Sequence, residues 1–81
     1  MAHPVIFWKS ARKHRIGKAR ARYVIDRTIP TRVLAEGDAT PRLRWVGPDD
    51  RGVLLEVIAL ETSEAIVVIH VMPQYPGRKL S

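Results

Sequence analysis

The residues of this sequence best suited to moving protons are histidines and one isolated carboxylate. His14 lies in a run of cations and could act as a general base beside a phosphate, or could pack between a helix and a sheet. Glu56 interrupts the apolar stretch 53–58, and His70 lies in a second apolar stretch, 65–72. If the turn between these stretches is centred between Thr62 and Glu64, Glu56 and His70 are directly opposed on one sheet face. Such a pair could transfer protons or could be structural.

Arginines in a neighbouring segment could supply the charge that such chemistry needs. Arg42 and Arg44 alternate with Leu43 and Trp45, so the two guanidinium groups share one strand face. Cations placed at a phosphate stabilise the charge that develops during phosphoryl chemistry. Arg42 and Arg44 are therefore candidate phosphate ligands.

The basic residues are concentrated in the N-terminal part of a chain whose net charge is +6. Between residues 9 and 32 a single acid, Asp26, accompanies nine cations: Lys9, Arg12, Lys13, Arg15, Lys18, Arg20, Arg22, Arg27 and Arg32. Clustering of this kind is typical of a polyanion-binding surface. A solvated face without a ligand, or a face for an acidic protein, would have the same composition. The predicted RNA-binding residues are Arg12, Lys13, Arg15, Lys18, Arg20, Arg22, Arg42, Arg78 and Lys79.

Several classes of function lack their sequence signals. There is no phosphate-binding glycine loop, nucleophile elbow or HExxH motif, and the three histidines lack metal-ligand spacing. With no cysteine there is no disulfide framework. We therefore expect no cofactor and no metal. The apolar runs are far shorter than the ~20 residues of a membrane span, which favours a cytoplasmic protein.

The 81 residues predict a single domain, 1–81, divided into a strand with basic helices (1–30), an antiparallel meander (31–73) and a tail (74–81). Strands are expected at 5–8, 41–46, 53–60 and 65–72, helices at 11–15 and 18–27, and a short strand or irregular connection at 32–35. Gly17 is expected to end the first helix. The predicted fold class is α+β, with two short N-terminal helices packed on a three- to four-stranded, mainly antiparallel sheet. Trp8, Tyr23 and Trp45 are expected in the core, which gives single-stranded stacking little support.

The segment from Trp8 to Ile16 resembles the opening of the BrnT-type toxins of bacterial toxin–antitoxin systems, which belong to the RelE-like superfamily. Lys13, His14 and Ile16 match the Lys, His and apolar positions of that motif, and Gly17 comes one place after the family's glycine. The turn 47–52 and the ending Ile69-His70-Val71-Met72-Pro73 are more similar to uncharacterised relatives. The family usually continues with a longer basic segment than the eight residues that follow Pro73.

The resemblance implies a ribonuclease toxin that is neutralised by a cognate antitoxin and cleaves RNA, in some relatives on the ribosome. Attack of a ribose 2′-OH on phosphorus needs cations and proton carriers. On this hypothesis the catalytic residues are His14, Arg44, Glu56 and His70. Two alternatives remain: a non-enzymatic nucleic-acid-binding module, and a protein-interaction module for an acidic partner.

Overall fold

The computed structural model of the protein describes residues 3–12, 15–34, 36–37 and 39–74, without the side chain of Arg12. Its elements in chain order are β1 (Val5–Phe7), a 3-10 helix (Lys9–Arg12), α1 (Lys18–Arg27), β2 (Thr31–Val33), β3 (Arg42–Pro48), β4 (Leu54–Glu61) and β5 (Ile66–Pro73). The five strands form one sheet in the order β1-β5-β4-β3-β2. β1 is parallel to β5, and the other neighbours are antiparallel.

The predicted fold class is wrong in two respects. The described residues contain one α-helix where two were expected, and the sheet is mixed and five-stranded. The extra strand pairing comes from β1, which lies beside β5 in parallel, with Val5 next to Ile66 and Phe7 next to Val68. An apolar run of this length shows that a strand is favoured but does not show which neighbour it takes or in which direction.

Where the first helix was predicted, at 11–15, the described residues include the end of a four-residue 3-10 turn, Lys9–Arg12, and residues 13 and 14 lie outside the described part of the chain. Such a short segment does not offset the cost of nucleating an α-helix. Ser10, the expected N-cap, instead donates its hydroxyl to the Ile69 carbonyl at 2.7 Å, which ties the turn to β5. Gly17 does not end a helix: it is the extended N-cap of α1, at φ −65° and ψ 152°. The left-handed position belongs to Arg15, with φ 58°.

The rest of the element prediction is confirmed. α1 has the predicted bounds, 18–27, and β2 to β5 form the predicted antiparallel meander with ends displaced by one or two residues. Three stretches of alternating or continuous apolar residues, separated by turn residues, are sufficient to place β3, β4 and β5. For β2 the structure selects the strand over the irregular connection that the sequence also allowed. In the part of the chain that the structure describes, no helix is long and apolar enough to cross a membrane.

The core lies between α1 and one face of the sheet. The buried apolar residues that form this core cluster are Ala11, Ile16, Ala21, Val24, Leu43, Trp45, Leu55, Val57, Ala59, Val68 and Val71. Close packing at the end of α1 requires a glycine on β3, because a Cβ at Gly47 would lie 2.5 Å from the Thr28 hydroxyl oxygen. The expected burial of Trp45 is confirmed, and Tyr23 is partly buried. The expected burial of Trp8 is wrong, since 52% of this residue is exposed.

Candidate functional site

The sheet face that lies opposite α1 carries most of the predicted catalytic residues, and we call it the outer face. Along β4, Leu55, Val57 and Ala59 point into the core, so Glu56 and Ile58 point to the outer face. Pairing between β3 and β4 sets Arg44 opposite Ile58, and pairing between β4 and β5 sets Ile58 opposite His70. Arg44, Glu56 and His70 therefore meet on one surface.

Glu56 lies at the centre of this cluster. Its Oε2 accepts a hydrogen bond from Arg44 Nε at 2.6 Å, and its Oε1 lies 3.4 Å from His70 Nε2. Glu56 is thus shared by a cation and an imidazole on the two strands that flank β4. Its side chain is 16% exposed, whereas those of Arg44 and His70 are 45% and 32% exposed. A carboxylate held in this way can orient an imidazole, which is the arrangement that supports a general base.

The predicted contact between Glu56 and His70 exists, but the predicted register is wrong. Glu56 faces Met72 and His70 faces Ile58, so the two side chains meet diagonally rather than directly across the pair. The pairing shifts between Ile58 and Ala59 because β5 contains one more residue there. This bulge turns Val68 into the core while His70 stays on the outer face. A bulge of this kind re-aims side chains and gives no clear signal in an apolar run.

A groove of about 490 Å³ adjoins the cluster. Its walls include Trp8, Arg42, Ile58, Leu60, Ile69 and His70. Because His70 belongs both to the groove and to the cluster, a ligand in the groove would lie beside His70, which contacts Glu56. The volume is within the ~300–1,000 Å³ of small-molecule sites.

Sequence reasoning missed Trp8 as a site residue. The sequence carries no signal for this, because the run 5–8 is apolar throughout. In the structure Val5 and Phe7 are partly buried, whereas Ile6 and Trp8 are exposed. A period of two places Trp8 on the same face as Ile6, away from the core. Aromatic character favours burial, but the position along the strand decides which face of the sheet Trp8 takes.

The predicted RNA-binding residues separate into two surfaces. Arg42 and Arg44 lie on the outer face, whereas α1 packs on the core side of the sheet with Lys18 and Arg22 exposed. Arg15, just before α1, is also exposed. The structure therefore does not bring the helix cations to the Glu56 cluster. Lys13, His14, Arg78 and Lys79, with the side chain of Arg12, lie outside the described residues.

Arg20, another predicted RNA ligand, is held by a carboxylate that sequence reasoning did not single out. Its Nε donates to Asp49 Oδ2 at 2.6 Å. Asp49 Oδ1 accepts hydrogen bonds from the backbone N–H groups of Arg51 and Val53 at 2.8 and 2.9 Å. Burial alone would raise the pKa of Asp49, but the Val53 N–H, Arg20 and the Arg51 N–H outweigh it and lower this pKa.

The comparisons with known proteins add no family. No protein-family model matches the chain, and no curated protein or solved structure is significantly similar to it. The resemblance to BrnT-type toxins accordingly stays a prediction. Among the described residues, no group of His, Cys, Asp and Glu is arranged to hold a metal ion. The candidate site is therefore defined by the outer-face cluster and its groove.

Proposed function

We propose that this protein is a ribonuclease of the toxin class, which cleaves RNA at the Arg44–Glu56–His70 cluster. The observation that carries the proposal is the position of Glu56, held between a guanidinium at 2.6 Å and an imidazole at 3.4 Å beside an open groove. A proton carrier next to a phosphate-binding cation is what RNA cleavage through the ribose 2′-OH needs. The resemblance of the segment 8–16 to BrnT-type toxins supports the same conclusion.

In this proposal each residue of the cluster has a role in the cleavage reaction. The ribose 2′-oxygen attacks the adjacent phosphorus, the new 2′-O–P bond forms, and the P–O5′ bond breaks to give a cyclic phosphate and a 5′-hydroxyl. His70 accepts the proton of the 2′-OH, and Glu56 orients the imidazole and offsets the positive charge that it gains. Arg44 binds a phosphate oxygen through the guanidinium nitrogens that Glu56 does not occupy, together with Arg42. The leaving O5′ takes up a proton from water, and the His70 imidazolium later releases its proton to water. His14, which the sequence predicts as a general base, lies outside the described residues.

The test is cleavage of a labelled RNA by the parent protein and by Glu56→Gln and His70→Gln. We expect each variant to cleave about 100-fold more slowly or worse, because a positioned proton carrier contributes ~10²–10⁴ in rate. Glu64→Gln, an exposed carboxylate in the β4–β5 turn, is the matched control and should cleave like the parent. Cleavage at the parent rate by both site variants would overturn the assignment.

The toxin class adds a partner, a cognate antitoxin, and a cellular outcome. Expression of the chain alone in a bacterial host should slow growth, and co-expression of the antitoxin encoded beside it should restore growth. Expression of Glu56→Gln should leave growth normal at the same protein level. Growth that slows equally with the parent and with Glu56→Gln would contradict a toxicity that depends on cleavage.

The second candidate function is a non-enzymatic nucleic-acid-binding module. The exposed cations Lys18 and Arg22 on α1, apart from the Glu56 cluster, favour it. Affinity would then fall steeply with salt, because each neutralised phosphate releases counterions. Lys18→Glu with Arg22→Glu should abolish most binding if the helix is the interface. If the outer face is the interface, Arg42→Glu with Arg44→Glu should do so instead.

A further inference from the structure

We propose that the groove beside His70 is a nucleobase-binding subsite, in which the base next to the cleaved phosphate stacks on Trp8. The substrate would therefore be a single-stranded RNA, because a base paired within a duplex cannot enter the groove. This inference deepens the proposed function and rests on it for the position of the phosphate. The binding of the base depends on the groove alone.

The first observation is an exposed indole on a fixed backbone. Trp8 is 52% exposed, although its backbone is held at both ends. The backbone N–H of Trp8 donates to the Val68 carbonyl at 3.0 Å, and the backbone carbonyl of Trp8 accepts from the Ala11 N–H at 3.0 Å. The hydroxyl of Ser10 anchors the following turn to Ile69 at 2.7 Å. An aromatic ring held in water by ordered backbone is suited to stacking, since little freedom is lost on binding.

The second observation is the chemistry of the groove walls. Ile58, Leu60 and Ile69 provide an apolar surface, and Arg42 provides a cation at the same groove. A nucleotide has the matching composition: a flat apolar base and an anionic phosphate. Arg42 and Arg44 are two residues apart on β3, about 7 Å along the strand, so one nucleic-acid strand could contact both.

The third observation concerns the acids of this surface. Glu56 is held by Arg44 at 2.6 Å, so its charge is offset on the side from which a phosphate would approach. Arg42 is exposed and adds a further positive charge. Charge complementarity therefore favours an anionic ligand over a cationic or purely apolar one. A single strand with bases and phosphates satisfies both the apolar walls and the cations.

The test is tryptophan fluorescence with a short, fully 2′-deoxy single strand of mixed sequence, which binds without being cleaved. The protein has two tryptophans, and Trp45 is only 4% exposed, so quenching on binding reports Trp8. We expect saturable quenching by the single strand and little quenching by its duplex. Trp8→Ala should weaken affinity roughly 10- to 100-fold, as expected for loss of one stacked base. Affinity for this variant is measured by anisotropy of a labelled strand.

Two further variants make the outcome specific. Trp8→Phe keeps a ring and should lose much less affinity than Trp8→Ala. Leu34→Ala truncates another exposed apolar side chain, outside the groove, and should bind like the parent. Unchanged affinity in Trp8→Ala, or equal quenching by single strand and duplex, would overturn the subsite.

These results are distinguishable from failure of the ribonuclease proposal. The deoxy strand lacks the attacking 2′-OH, so its binding does not depend on cleavage. If the parent fails to cleave RNA but Trp8→Ala loses affinity, the subsite stands and the catalytic assignment falls. If the parent cleaves and Trp8→Ala binds and cleaves like it, the catalytic assignment stands and the subsite falls.

Discussion

Two carboxylate–arginine pairs of this protein have the same bond length and different surroundings. Asp49 accepts from Arg20 Nε at 2.6 Å, and Glu56 accepts from Arg44 Nε at 2.6 Å. The Asp49 side chain is fully buried and its second oxygen accepts two backbone N–H groups. Glu56 is partly exposed, and its second oxygen faces the His70 side chain.

The difference in surroundings indicates a structural role for Asp49 and a functional role for Glu56. Asp49 is surrounded by groups of its own turn and of α1, so its hydrogen bonds join the helix to the β3–β4 connection. Glu56 is held by side chains alone, on a face where ligands can approach. A short ion-pair distance is common to both sites and therefore does not distinguish structure from function. The burial of the carboxylate and the type of group that donates to it distinguish the two roles.

The largest effect that separates the two sites is expected from Asp49→Ala. The change leaves Arg20 without its carboxylate and removes the acceptor of two backbone N–H groups. We expect a loss of roughly 3 kcal/mol in unfolding free energy, the lower end for breaking a buried pair, because Arg20 keeps a quarter of its side chain exposed. Equilibrium unfolding of the parent and the variant in urea measures this loss of unfolding free energy.

The neighbouring residue supplies the control for that experiment. Asp50 belongs to the same turn but is exposed, so Asp50→Ala should change stability by no more than ~0.5 kcal/mol. Equal losses in the two variants would show that the turn tolerates neither change and that the Arg20 contact has no special role.

Much of the fold could be predicted, because strands and α1 follow from local patterns. The alternation in β3, the apolar run of β5 and the turn residues between strands depend on neighbours in sequence. The parallel pairing of β1 with β5 depends on contacts about 60 residues apart. No local pattern encodes such contacts, and the expected first helix was too short to form.

The site could be predicted in composition but not in geometry. The sequence predicts Arg44, Glu56 and His70 as residues of one site, and it predicts Glu56 and His70 opposed on one sheet face. The bulge at Ile58 and Ala59 made their contact diagonal, since one extra residue changes which side chains are opposed. The expected burial of Trp8 is wrong because an aromatic side chain favours the core in general, whereas the pleat that continues from β1 turns this one away from the core.

Asp49 should contribute to the pH dependence of stability, and this contribution is expected to be a smaller effect than the replacement of Asp49. Its folded pKa lies below the ordinary value of 3.8. Its ionised form therefore stabilises the fold fully above that value, and the contribution is lost as pH falls through the lowered folded pKa. The stability difference between the parent and Asp49→Asn should shrink between neutral pH and about pH 3. A difference that stays constant would contradict the lowered pKa.

Of the two carboxylates, Glu56 is expected to contribute less to stability, so Glu56→Gln should have only a small effect. An exposed pair contributes ~0–1 kcal/mol, and the glutamine oxygen can still accept from Arg44. The melting temperature should therefore fall by less than about 8 °C, the upper shift per kcal/mol for a domain of this size. RNA cleavage by the same preparation should nevertheless be lost, because catalysis depends on a charge that stability does not need. A loss of stability as large as that of Asp49→Ala would remove the contrast between the two pairs and make Glu56 a structural residue.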